Sequence, residues 1–130
     1  MNHVFILKEP TNRIMTANTL FDEVKKIDVD YKKENLILIC VNTKNQVIYS
    51  EVIAQGGLDS CICDPKTIFR IALKHNSNSI IIAHNHPSGD LNPSSEDHIV
   101  YERLKKAGEI ISIRCLDSII FNKSDYYTLR

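Results

Sequence analysis

Apolar and polar positions follow three patterns along this chain, and each pattern predicts a different element. Leu36-Ile37-Leu38-Ile39-Cys40-Val41 is an unbroken apolar run, and Ile80-Ile81-Ile82-Ala83 is another, entered through Ser79. Uninterrupted β-formers of this length predict strands buried on both faces. Asn42-Thr43-Lys44-Asn45 reads as a hairpin-type turn leading into a second strand, Val47 to Ala54, which carries Glu51 and is broken by Gly56-Gly57. Val4 to Leu7 is a shorter run ended by Lys8-Glu9-Pro10, and predicts a strand or an ordered arm.

Helical spacing appears in three places. Leu20, Phe21, Val24 and Ile27 predict a short helix with Thr19 as its N-cap. Ile68, Phe69, Ala72 and Leu73 predict a helix from Lys66 to His75, capped by Asp64, with Pro65 in its first turn and Asn76-Ser77-Asn78 at its end. A third helix is expected from about Ser94 to Ala107, with Ile99, Val100 and Leu104 as its core stripe and Gly108 as its stop. Ile110 to Leu116 and Ser118 to Phe121 read as further strands, and Tyr126 to Leu129 as an edge strand. The order predicts an α/β fold, a mixed sheet with helices packed on it. Without a repeat, linker or low-complexity stretch, residues 1–130 read as one domain.

Composition narrows the class. With 130 residues, 43% apolar and 25% charged, the chain can bury a core without disulfide or metal staples. Sixteen basic residues balance sixteen acidic ones, so no net field draws nucleic acid or an anionic membrane, although a local basic patch stays open. No apolar run approaches the length of a membrane-spanning helix, and the start, MNHVFILKEP, lacks a secretory layout. Cys40, Cys61, Cys63 and Cys115 read as reduced thiols, and a cytoplasmic location is the expectation.

The chemistry concentrates between His84 and Asp97, in HNHPSGDLNPSSED. Residues i and i+2 of a strand share a face, so His84 and His86 can chelate one ion while Asn85 points away. Pro87 and Gly89 bend the chain, and Asp97 returns a carboxylate at the start of a helix. Two imidazoles and one carboxylate are a donor set that zinc favours, with the fourth position left for a water whose pKa falls toward about 7. A general base is then needed, for which Glu51 is the candidate, on a strand expected to neighbour Ile80–Ala83. Ser94 is a candidate donor to an oxyanion.

Structural explanations compete for several of these residues. Ser94-x-x-Asp97 is also a capping-box variant, a role that can coexist with catalysis. A lone histidine at a strand end is more often structural, but the paired spacing and the helix-start aspartate reverse that balance. His75 fits a helix C-terminus, His3 a terminal surface, and Lys32-Lys33 and Lys105-Lys106 solvated faces. His98 points about 100° away from Asp97 around a helix. Cys61-x-Cys63 lacks the usual C-x₂₋₄-C spacing of a structural zinc site.

His84-x-His86, seven residues, Ser94, two residues, Asp97, with an upstream Glu51, resembles the JAMM signature of JAB1/MPN metalloproteases. HNHPSGDLNPS is similar to the RadC branch of that family, found in bacteria and mobile elements. The likeness extends from Asn35 to about Phe121 through NQVIYSEVIAQGGLDS and DPKTIFRIALKHNSNSIIIAHNHPSG, leaving residues 1–34 as an N-terminal strand and helix. The resemblance implies a cytidine-deaminase-like α/β/α sandwich with one zinc held by His84, His86 and Asp97. It further implies a water activated by Glu51, an oxyanion stabilised by Ser94, and hydrolysis of peptide or isopeptide bonds in a peptide or protein substrate. Longer RadC proteins carry an N-terminal helix-hairpin-helix region, for which the stretch before the domain is too short. RadC domains commonly have Asp-His where this chain has Asp117-Ser118.

Two functions stand against each other on this reading. One is a zinc-dependent peptidase or isopeptidase, favoured by a complete residue set. The other is a non-catalytic MPN-type interaction module in DNA repair, recombination or mobile-element biology, favoured by the RadC likeness alone. Zinc-dependent base deamination needs a His/Cys-x-Glu and a Pro-Cys-x-x-Cys, which this sequence lacks.

Overall fold

The computed structural model describes residues 4–6, 16–56 and 63–130. Its elements are β1 (Val4–Ile6), α1 (Ala17–Lys25), β2 (Asn35–Val41), β3 (Val47–Gln55), α2 (Pro65–Lys74), β4 (Ser79–Asn85), α3 (Ser95–Ile111), β5 (Arg114–Phe121) and β6 (Tyr126–Thr128). The strands form one sheet in the order β1-β3-β2-β4-β5-β6. Only β4 and β5 run parallel, and the helix between them, α3, supplies the long crossover that a parallel pair requires. The two unbroken apolar runs, β2 and β4, lie side by side at the centre of the sheet, and every residue of both is buried.

One face of the sheet packs against α1 through Leu20, Phe21 and Val24, which meet Ile37, Ile39, Ile81, Ala83 and Phe121. The other face packs against α2 and α3, where Ile68, Ala72, Val100 and Leu104 meet Leu36, Leu38, Ile80 and Ile82. Odd and even positions of the central strands thus serve different helices, the three-layer α/β/α arrangement of a JAB1/MPN-like fold.

Several boundaries differ from those predicted. The N-cap of α1 is Thr16 and not Thr19: the Thr16 hydroxyl accepts the Thr19 N–H at 3.2 Å, and the Thr19 hydroxyl accepts the Thr16 N–H at 3.1 Å. A threonine at both ends of a capping box gives the sequence two equivalent starts, and the apolar stripe begins only in the second turn. In α3, Ile99 is 47% exposed and Tyr101 takes its place in the core stripe.

The helix α3 also runs through Gly108 to Ile111 and stops at Ser112, which adopts the left-handed conformation at φ 61°. Ile110 and Ile111 are therefore helical and exposed, where a strand was expected from their β-branched character. Gly108 is buried because the chain entering β5 crosses over it, and a Cβ there would stand 2.1 Å from the Ile113 carbonyl oxygen. Its lack of a side chain serves close approach, not termination. Finally, Ile110–Leu116 and Ser118–Phe121 do not form two strands. Arg114–Phe121 is a single strand whose register shifts opposite Ile80 and Ile81, and Asp117 sits buried within it, accepting the Ser118 N–H at 2.7 Å. Leu7, Gly57 and Cys61 lie outside the described residues.

Gly108→Ala is expected to destabilise the fold by about 2–4 kcal/mol, since the added methyl meets backbone that cannot rotate away. Urea denaturation checks this, with Ala107→Gly, on the half-buried neighbouring position, expected to cost only about 1 kcal/mol.

Candidate metal centre

The end of β4 alternates its side chains between the two helical layers. His84 follows Ile80 and Ile82 onto the α3 face, whereas Asn85 follows Ile81 and Ala83 onto the α1 face. His84 is 5% exposed at the foot of α3. Beyond it the turn Pro87-Ser88-Gly89-Asp90 folds back on His86. Gly89, at φ 82°, donates its N–H to the His86 carbonyl at 2.8 Å, and the Asn122 side chain holds the Gly89 carbonyl at 3.0 Å. This fold-back brings the Asp90 carbonyl 2.7 Å from His86 Nδ1. A carbonyl only accepts, so Nδ1 carries the proton, and Nε2 faces the site with a lone pair when the ring is neutral.

Asp97 comes to the same place through the start of α3. It is the N3 residue of a capping box: its carboxylate accepts the Ser94 N–H at 2.8 Å, and its own N–H reaches the Ser94 hydroxyl at 3.1 Å. The cap swings the carboxylate back over the helix N-terminus and toward β4. His84 Nε2 then lies 2.9 Å from Asp97 Oδ1, and His86 Nε2 lies 3.3 Å from Asp97 Oδ2. Burial alone raises the Asp97 carboxyl, but the adjoining His84 imidazole and the Ser94 cap outweigh it and hold the group well below the usual carboxylate range.

The donor set fits a metal ion. One ligand atom from each of His84, His86 and Asp97 lies within 4.8 Å of the others, and among the described residues this is the one such group. In a tetrahedral site with bonds near 2.0–2.1 Å, neighbouring donors stand about 3.3 Å apart, and the two imidazole–carboxylate separations, 2.9 and 3.3 Å, are close to that. His84 Nε2 is buried and, despite the short approach of Asp97, lacks the alignment of a hydrogen bond. A buried nitrogen facing a carboxylate without a hydrogen bond is costly in a protein and natural in a coordination sphere.

Beside the three residues is a hollow of about 160 Å³, walled by Leu36, Ile82, Val100 and Cys63 and edged by Ser94 and Glu96. Two carboxylates need to be placed relative to it. Glu51 is not among its lining residues, and its strand does not neighbour β4 as expected: β2 lies between them, which sets β3 about 10 Å away by two strand spacings. The Glu51 carboxylate accepts the Tyr49 hydroxyl at 2.6 Å, in a part of the sheet where His75 stacks on Tyr49. Glu34 does line the hollow. Asn35 pairs with Asn85 and Leu36 with His84, so the next position of the same antiparallel register sets Glu34 opposite His86 and on its face.

The sequence alone does not single out Glu34, because the signature spaces His84 to Asp97 and leaves the upstream glutamate unspaced. Its available signal was its place immediately before the buried run, in phase with Leu36. Ser118, where a histidine is common in RadC domains, is fully buried on the hollow's wall, and its hydroxyl has no hydrogen-bond partner among the described residues. His98 is exposed and is not part of the convergent group.

A family model described as RadC-like JAB domain matches residues 12–130. The chain belongs to the RadC-like JAB domain family. A UPF0758 protein of Clostridium novyi is 44% identical over 127 residues, covering 98% of this chain and 53% of that protein. A UPF0758 protein of Chlorobium chlorochromatii is 41% identical over 118 residues, covering 91% of this chain and 53% of its own length. A third, from Listeria innocua, is 50% identical over 98 residues, covering 75% of this chain and 44% of the relative. The chain spans about half the length of the curated relatives it matches. Among the described residues of this RadC-like domain, no helix is long and apolar enough to cross a membrane.

Zinc titration followed by thermal unfolding tests the centre. At a free zinc concentration 100 times the dissociation constant, the native state gains about 2.7 kcal/mol, which raises Tm. Asp97→Asn removes the anionic donor and is expected to abolish that response.

Proposed function

We propose that this RadC-like JAB domain is a zinc-dependent hydrolase of peptide or isopeptide bonds, with Glu34 and not Glu51 as the proton-transferring carboxylate. The observation that carries the reading is one hollow shared by Glu34, Ser94, His84 and Asp97, beside a convergent His-His-Asp group. His84, His86 and Asp97 would hold the zinc; when bound it polarises a substrate carbonyl and lowers the pKa of water toward about 7.

The rest falls to the chain's own groups. Glu34 is half-buried, and its backbone carbonyl is tied to the Gly56 N–H at 2.9 Å, so its carboxylate is carried on a fixed strand start. From there it accepts a proton from the attacking water and returns it to the departing amine, which otherwise leaves as a poor anion. Glu96 reaches the same hollow from the exposed first turn of α3, where solvent competes for its carboxylate. Ser94 accepts the Asp97 N–H through its oxygen, which leaves its own O–H as a donor for the oxyanion of the tetrahedral intermediate. Its capping and catalytic roles therefore use different parts of one hydroxyl.

Internally quenched peptides and lysine-linked isopeptides, assayed on zinc-loaded protein, test this assignment. Glu34→Gln is expected to retain zinc and lose hydrolysis by about 10²-fold or more, while Glu51→Gln and Glu96→Gln stay within about threefold of wild type. Loss in Glu51→Gln with activity kept in Glu34→Gln would reverse the assignment. Zinc binding with no hydrolysis of any bond in the panel would favour the interaction-module reading.

A further inference from the structure

The residue between the two histidines makes more contacts with the opposite strand than a spacer needs. Asn85 is 1% exposed, on the sheet face away from the metal centre. Its Oδ1 accepts the backbone N–H of Asn35 at 2.9 Å, and its Nδ2 donates to the backbone carbonyl of Lys33 at 2.9 Å. Lys33 and Asn35 are the two neighbours of Glu34 in the chain. The amide's orientation is set by its partners, since an N–H can only donate and a carbonyl can only accept.

A second buried amide completes the arrangement. Asn35, fully buried, donates through Nδ2 to the Asp30 carbonyl at 2.9 Å and to Asn85 Oδ1 at 3.0 Å, and its Oδ1 accepts Gln55 Nε2 at 2.9 Å. The stretch 30–35, which leaves α1 and enters β2, is thereby fastened to the end of β4 and to β3.

We propose that Asn85 is a positioning residue that fixes Glu34 against the metal centre by gripping the peptide groups on either side of it. The inference rests on the reading of Glu34 as the proton-transferring group. Because side chains alternate along a strand, holding Asn35 on the α1 face turns Glu34 onto the face of His84 and His86. His84-Asn85-His86 is then a single device: the outer residues offer nitrogen donors to a cation, and the middle one sets the distance to the carboxylate. A displacement of about 1 Å at such a group can lower a rate by about 10²-fold, so the grip matters to turnover more than to binding.

The test combines three measurements on the full chain. In Asn85→Ala, zinc affinity is expected to stay within about threefold of wild type, kcat to fall about 10–100-fold, and KM to stay within about threefold. The double variant Glu34→Gln/Asn85→Ala should be no slower than Glu34→Gln alone, because a residue acting through Glu34 has nothing left to position. Amide exchange at Asn35 should accelerate by about tenfold or more, which reads the grip without any turnover.

Should Asn85→Ala fail to fold, Asn85→Ser keeps one hydrogen-bonding atom and room for a water. It is expected to show the same pattern in milder form. Asn85→Asp, which turns an oxygen onto the Lys33 carbonyl, is expected to be at least as damaging as the alanine. The proposal is overturned by additive losses in the double variant, by zinc affinity falling in step with kcat, or by unchanged exchange at Asn35. If wild-type protein hydrolyses nothing, the functional reading fails separately, and exchange together with zinc affinity still decides whether Asn85 holds this segment.

Discussion

The antiparallel pairing of β2 with β4 at the centre of the sheet, from Asn35 opposite Asn85 to Val41 opposite Ser79, governs the geometry of everything at the site. Both strands are buried on both faces, so a slip of one residue would turn each apolar side chain toward the wrong helix and move His84 out of the α3 layer. The same register decides which acidic residue reaches the centre. Extended by one step it sets Glu34 opposite His86, whereas Glu51 is held one strand further out, against Tyr49. The chemistry of the hollow is thus a consequence of hydrophobic register, with the polar residues carried along by the alternation.

Asp97 depends on a second constraint, the parallel pairing of β4 with β5. That pairing obliges the chain to cross over through α3, whose N-terminus is delivered beside the end of β4. At a helix start four N–H groups lack partners, and the Ser94–Asp97 capping box satisfies two of them while aiming a carboxylate at the histidines. The cap bonds that satisfy the helix start are also the ones that place the Asp97 carboxylate beside the histidines. They also explain why a depressed carboxyl is found there: cap donors and an imidazole both favour the anion, and the anion is what a divalent cation needs.

Much of this could be read from the sequence where local physics decides. The two buried strands, the capped helix α2 and the shared direction of His84 and His86 follow from run length, capping residues and strand period. What could not be read depends on long-range pairing. No local signal tells whether β2 or β3 lies beside β4, and so strand phase alone does not decide between Glu34 and Glu51. Gly108 carries a stop signal by composition, but its backbone is crossed by Ile113, and that contact becomes visible only once β5 is in place. Likewise the strand period turns Asn85 away from the face of His84 and His86, yet the groups it meets there come from fifty residues earlier in the chain.

The account stands on His84, His86 and Asp97 sharing one metal ion. Crystals grown with zinc, with anomalous diffraction collected on either side of the zinc edge, measure this directly. The account predicts one strong anomalous peak per chain, about 2.0–2.2 Å from Nε2 of His84, Nε2 of His86 and a carboxylate oxygen of Asp97. A peak bound elsewhere, or none beside these three side chains at saturating zinc, would contradict it.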